Sequence, residues 1–263
     1  MSDGNQFDYY SQAEAYDTAF GFRDLDFECD TLDALCEQFR GAKPRSFADL
    51  GCGPAYHGIH YATRGLRTYG LDINPHMIEY ARAKAKRFGT KVEFVQGDMR
   101  EFDLPEPADL AMCAIATIHY LLTNEDMITH LRSVARNLTD GGIYVFEANH
   151  PRDVFNIARS AKNEWEFEGR DISVITSWGV DEQFDPITQL ATSTIHMEVK
   201  RGTDTQTYDF ENLDRCHTHQ ELKLLIEQSG VFEPMTWLGA LDVKQPLDNS
   251  KESWRMIPVL RKR

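Results

Sequence analysis

Between residues 45 and 148, short apolar runs alternate with amphipathic stretches, and this alternation constrains the fold more than any other feature. "RSFADL" (45–50), "RTYGLD" (67–72), "KVEFVQGD" (91–98), "ADLAMCAIA" (108–116) and "IYVFEA" (143–148) read as strands. The fourth is continuously apolar, as suits a strand buried on both faces. The intervening stretches carry helix punctuation. Asn74-Pro75 opens a helix that stops at Gly89, and Thr123, with Asp126 three residues on, opens another that runs to about Leu138. Such alternation predicts a parallel, doubly wound α/β sheet.

After Pro151 the texture changes. From about Trp165 to Asp214 the chain reads as four strands, with Asp185-Pro186 and Arg201-Gly202 as turn signals. This predicts an antiparallel β roof inserted into the core, and Trp165, Arg170, Trp178 and His196 are its first candidates for substrate contact. Thr218 and Glu221 form a capping box for a last helix that stops at Gly230. "VFEPMTWLGA" and "SWRMIPVLR" then predict a hairpin at the sheet edge. The expected division is an N-terminal helical lid over 1–40, an α/β core over 41–150 and 215–263, and the inserted roof over 151–214.

The first strand runs into "ADLGCGPAYHG" (48–58), which has three imperfect readings as a ligand loop. A phosphate-binding P-loop requires Lys-Ser or Lys-Thr after its last glycine, but Ile59-His60 follow Gly58. A dinucleotide fingerprint matches at Gly51 and Gly53 but meets Tyr56 where the third glycine belongs; a nicotinamide-dependent oxidoreductase is therefore a weak alternative. The third pattern is D-x-G-x-G-x-G, here Asp49-Leu50-Gly51-Cys52-Gly53-Pro54-Ala55 with alanine in the last place. At this loop the chain resembles the class I S-adenosylmethionine-dependent methyltransferases.

That resemblance implies a Rossmann-like seven-stranded sheet, S-adenosylmethionine as cofactor and a set of cofactor-binding residues. Asp49, Gly51, Cys52 and Gly53 belong to the loop, whose glycines leave room for the methionine portion. Asp72 ends the next strand and corresponds to the acid that binds the ribose, with Ile73 and Met77 beside it. Asp98 corresponds to the acid that contacts the adenine amino group, with backbone support from Met99. Cys113 ends the fourth strand, where the family lines the adenine and methionine. "YDTAFGFRDLDFECDTLDALCEQF" (16–39) resembles the lid of glycine and sugar-amine N-methyltransferases. By that resemblance Tyr16 approaches the methionine portion and Arg23 its carboxylate.

Methyl transfer from a sulfonium requires alignment more than proton transfer, so the family has no universal catalytic motif. His119 and His150, just past the fourth and fifth strands, are the candidate bases or orienting groups, with Tyr120 beside the first. No metal is expected, because neither His57/His60 nor His217/His219 has a third ligand in a recognisable motif. The predicted activity is methyl transfer to a small molecule, first at nitrogen and second at oxygen. A non-catalytic cofactor-binding protein is a further alternative.

The net charge of −14 disfavours a nucleic-acid partner. No apolar run is long enough to span a bilayer, and no secretory signal is expected. The five cysteines form no C-x-x-C pair, which makes a reducing cytoplasm the expected setting. A homodimer through the roof is also expected as a possible assembly.

Overall fold

A computed structural model describes residues 12–152 and 163–263. Its main sheet contains strands β1 (Ser46–Leu50), β2 (Arg67–Asp72), β3 (Glu93–Gln96), β4 (Ala108–Cys113), β5 (Leu138–Phe146), β11 (Phe232–Leu238) and β12 (Arg255–Lys262). Their order is β11-β12-β5-β4-β1-β2-β3, and a two-residue strand β6 (Ala148–Asn149) pairs with β12. The β1–β2, β1–β4, β2–β3 and β4–β5 pairs are parallel, while β12 runs antiparallel to both β5 and β11. The fold is the expected Rossmann-like one. The C-terminal hairpin lies at the edge with β12 on its inner side, as its apolar MIPVL run requires.

β1 and β4 are buried along their whole length because helices cover both faces. On one face, α2 (Leu25–Arg40) packs Leu32, Leu35 and Cys36 against Phe47, Met112 and Val145. On the other, α5 (Asn124–Arg136) and α6 (His219–Ser229) pack Met127, Leu131, Leu222 and Ile226 against Tyr144 and Phe146. Both helices begin in complete capping boxes, at Thr123/Asp126 and Thr218/Glu221. Of the expected 1–40 lid, residues 1–11 lie outside the described residues; among the described ones, α1 (Ala13–Ala19) and the turn after it stand over the ligand edge, while α2 belongs to the sheet's helical layer.

A second, antiparallel sheet has the order β10-β9-β8-β7, from β7 (Asn163–Glu168), β8 (Ser173–Asp185), β9 (Leu190–Arg201) and β10 (Asp204–Arg215). β9 alternates strictly between buried and open positions over most of its length. The buried face, with Val174, Ile195, Met197, Val199 and Phe210, rests on Ala15, Ala19 and Phe20 of the α1 region. Phe20 stacks on Tyr16 and meets Trp165 and Trp178 edge-on, so both roof tryptophans serve this packing. His196 and Arg170 are exposed, and His196 pairs with Asp209. The five cysteines are free and buried. Among the described residues no helix is long and apolar enough to cross a membrane.

Candidate active site

β1 hands the chain to α3 (Tyr56–Thr63) through residues 51–55, at the carboxyl edge of the parallel strands where such sheets bind ligands. Gly51, Gly53 and Ala55 all have positive φ, at 63°, 49° and 58°. The three alternate positions of D-x-G-x-G-x-G are thus the three left-handed ones. Ala55 occupies the last despite its β-carbon, which costs on the order of 1–2 kcal/mol. Its side chain is fully buried, which offsets part of that cost.

Two carboxylates hold the loop in shape. Asp49 accepts the Gly58 N–H at 3.0 Å inside the first turn of α3. Burial pushes its carboxyl up to about 6. Asp72, at the end of β2, accepts the Gly53 N–H at 2.7 Å on one oxygen and the Asn74 N–H at 2.9 Å on the other. Burial raises its pKa, and those N–H donors oppose the rise. Each oxygen keeps a lone pair for a second donor. Ile73, beside it, presents an exposed apolar side chain.

A Cβ on Gly51 would lie 2.5 Å from Thr117 Cγ2, whereas one on Gly53 would meet only Tyr16 Cε1 at 3.9 Å. Gly51→Ala is therefore expected to lose about 2–3 kcal/mol in urea unfolding, from left-handed strain plus overpacking. Adding Thr117→Ser, which deletes Cγ2, should recover the overpacking share.

A narrow cleft lies over the loop, lined by Tyr16, Gly51, Gly53, Ala114, Ile115 and Thr117 among others. It encloses about 20 Å³ with α1 closed over it. Ligand pockets run to roughly 300 Å³ or more, so the cleft in this arrangement is too small for a nucleoside. α1 is latched by Asp17. The Asp17 carboxylate accepts from Tyr80 at 2.7 Å and from Lys84 at 2.6 Å, and its carbonyl accepts the Tyr56 hydroxyl at 2.9 Å. Lys84 also sits 4.2 Å from the Tyr56 ring centroid. Tyr56, which spoils the dinucleotide fingerprint, is thus an anchor for the lid.

The far wall of the cleft is strained. Ile115 and Ala116, just past β4, have φ of 52° and 53°, a rare conformation for a β-branched residue. Glu147, at the end of β5, accepts the Ile115 N–H at 2.5 Å. Arg23 donates to both Glu147 oxygens, at 3.0 and 3.3 Å, and through Nε to Glu28 on α2, which also meets His57 at 2.8 Å. Burial alone would push the Glu147 carboxyl up; the Arg23 guanidinium outweighs it and holds the group down to about 2.

The structure revises several expectations. Arg23 is engaged by two carboxylates, so a cofactor carboxylate arriving there would meet net negative charge. Cys113 is fully buried in the core, and Ala114, Ile115 and Thr117 take the expected place on the cleft. Met77 is fully buried beneath Tyr16 and Tyr56 in the packing under α1. Asp98 accepts from the Arg100 backbone and guanidinium, while Met99 packs on the core and offers its carbonyl to His130 at 2.7 Å. His150 has both ring nitrogens committed, Nε2 donating to the Asp248 carbonyl at 2.8 Å and Nδ1 accepting from Arg152 N at 3.2 Å. It fastens the 248–253 loop and has no nitrogen left for proton transfer. His119 is buried in the Thr117–Tyr120 turn; burial and Arg255 lower its pKa to about 3. Tyr16, Gly51, Cys52, Gly53 and Asp49 do line the cleft. Sequence reasoning missed Glu28 and Glu147, although a glutamate ending the apolar run IYVF is a visible signal.

The cleft's lining contains no lysine or arginine among the described residues; Asp49 stands in it, and Asp72 holds the Gly53 N–H of its loop. That suits a neutral or cationic ligand such as a sulfonium nucleoside and does not suit a pyrophosphate. Residues 47–142 match the family model described as a methyltransferase domain. A dTDP-4-amino-2,3,4,6-tetradeoxy-D-glucose N,N-dimethyltransferase of Saccharopolyspora spinosa is 28% identical over 136 residues, 51% of this chain and 53% of that protein. The chain thus aligns with only about half the length of that relative. A solved S-adenosylmethionine-dependent methyltransferase from Clostridium acetobutylicum superposes with TM-score 0.77 at 16% identity, covering 96% of this chain and 98% of the other. An amino pentose methyltransferase from Micromonospora echinaspora, solved with S-adenosylmethionine bound, superposes with TM-score 0.71 at 20% identity, covering 94% and 96%.

Proposed function

We propose that this chain, which carries a class I S-adenosylmethionine-dependent methyltransferase domain, methylates an amine nitrogen of a small hydroxylated molecule of the amino-sugar type. When bound, S-adenosylmethionine supplies an electrophilic methyl group on a sulfonium whose leaving group departs neutral. The chain's own contribution is placement and exclusion of water. Asp72 would hold the ribose hydroxyls, and Ile73 would give the adenine an apolar face. The left-handed loop would make room for the methionine portion. The excess of carboxylate around Arg23 matches the methionine ammonium. Tyr16, on the α1 lid, would shut the cleft over the sulfonium.

The choice of nitrogen rests on one observation, the lack of a suitable base at the two expected positions. A hydroxyl acceptor needs a base poised near neutral pH. His150 has both nitrogens bonded, and His119 is held neutral with a pKa of about 3. An amine needs only to arrive unprotonated. The S. spinosa relative acts on an amino sugar, which favours the same acceptor class.

The test is formation of S-adenosylhomocysteine with nucleotide-linked amino sugars, free amino sugars and a catechol. The expected result is N-methylated product from an amine. The rate should rise with pH along the acceptor amine's own ionisation, without a histidine limb between pH 5 and 8. Turnover of the catechol alone would move the assignment to oxygen. Cofactor binding with no turnover of any acceptor would favour a non-catalytic protein.

A further inference from the structure

Among the described residues that line the cleft, His57 is the one side chain able to carry a positive charge. It is the second residue of α3, is 2% exposed and stands beside Asp49 in the lining. Arg23 is bonded to Glu28 and to both oxygens of Glu147 and is not part of the lining. The carboxylate of a bound methionine portion therefore needs a partner other than Arg23. A carboxylate brought into a buried cleft with no donor or cation carries a large desolvation cost.

The hydrogen bonds fix how the His57 ring can act. Its Nε2 lies 2.8 Å from an oxygen of Glu28, which is paired with Arg23. That carboxylate accepts, so the network assigns a hydrogen to Nε2. Nδ1 bonds to no described residue. In the neutral ring Nδ1 is an acceptor, and in the imidazolium it is a donor. Three carboxylates, Glu28, Glu147 and Asp49, surround the ring against the single guanidinium of Arg23. Two negative charges are left over. An imidazolium answers one of them, and a methionine ammonium answers the other. Burial raises the Asp49 carboxyl, and the charge on His57 opposes that rise. Asp49 and His57 thus give the cleft one acidic and one basic group, the complement of an amino acid's two ends.

We propose that His57, as an imidazolium held by Glu28, receives the carboxylate of the methionine portion of S-adenosylmethionine. This assignment rests on the methyl-transfer reading. The experiment uses the full chain and calorimetry near neutral pH. It compares S-adenosylhomocysteine with S-adenosyl-3-thiopropylamine, which lacks only the carboxylate. Wild-type protein should bind S-adenosylhomocysteine at least about tenfold more tightly, the scale of one hydrogen bond to a charged group. His57→Gln keeps an amide donor for Glu28 but has no charge. It should cut the preference to below about threefold, while its affinity for the thiopropylamine stays within about twofold of wild type. It should also melt close to wild type. His57→Phe, which removes both nitrogens, should show the same loss of preference and melt lower.

A wild type that does not distinguish the two ligands overturns the assignment. So does a preference that survives in His57→Gln, because the ring would then serve only to brace Glu28. An equal loss of both ligands in that variant overturns it too. Wild-type protein that fails to bind S-adenosylhomocysteine overturns the methyl-transfer reading itself, and the assignment with it.

Discussion

Asp72→Ala should weaken S-adenosylhomocysteine binding by two to three orders of magnitude, measured by calorimetry. The proposed carboxylate accepts two ribose hydroxyls, and hydrogen bonds to a charged group are worth about 1.5–3 kcal/mol each. The same oxygens hold the Gly53 and Asn74 N–H groups, so alanine also loosens the loop and the start of α4 (Pro75–Arg87). Asp72→Asn separates the two effects. Its amide oxygen can keep one N–H while the second acceptor and the charge are lost. It should melt below wild type by no more than the loss of one buried N–H acceptor, about 1–3 kcal/mol, and above Asp72→Ala, and still lose at least about tenfold in affinity. Unchanged affinity in a folded variant would remove Asp72 from the ribose.

Glu147→Gln should cost about 3 kcal/mol at pH 7, read from urea unfolding. A folded pKa of about 2 against the ordinary glutamate value of 4.5 corresponds to a contribution of that order. Removing one member of a buried ion pair typically costs a similar amount. The sign of the pH dependence follows. The folded carboxyl is depressed, so its stabilisation is complete above pH 4.5 and is lost as pH falls towards 2. The gap between wild type and variant should therefore narrow below pH 4.5. A gap that is constant from pH 7 to 3 would mean that Glu147 acts by shape alone. Glutamine can still accept the Ile115 N–H, so the strained 115–116 turn should persist, and activity should fall less than in Glu147→Ala.

The sheet, the roof and the helix boundaries were readable because period and punctuation are local signals. Asn74-Pro75, Thr123/Asp126 and Thr218/Glu221 start helices where expected. The Asp140-Gly141-Gly142 stretch ahead of the IYVFEA run also belongs to β5, which is irregular there, with Gly141 at φ of 68°. The site was less legible, because what decides a side chain's role there is its partner from a distant segment. Arg23 and Glu147 are 124 residues apart, and nothing near either one announces the pair. His150 looked like a free histidine at a strand end until the Asp248 carbonyl, 98 residues on, took one of its nitrogens.

Ala55 carries a lesson about how such loops are spelled. The requirement imposed on the loop is a sequence of dihedral signs, positive at 51, 53 and 55, and glycine is only the cheapest letter that satisfies each. This chain writes one of the three with a different letter. A search in the alphabet of residues counts that as a mismatch, whereas a search in the alphabet of backbone angles would find the pattern complete.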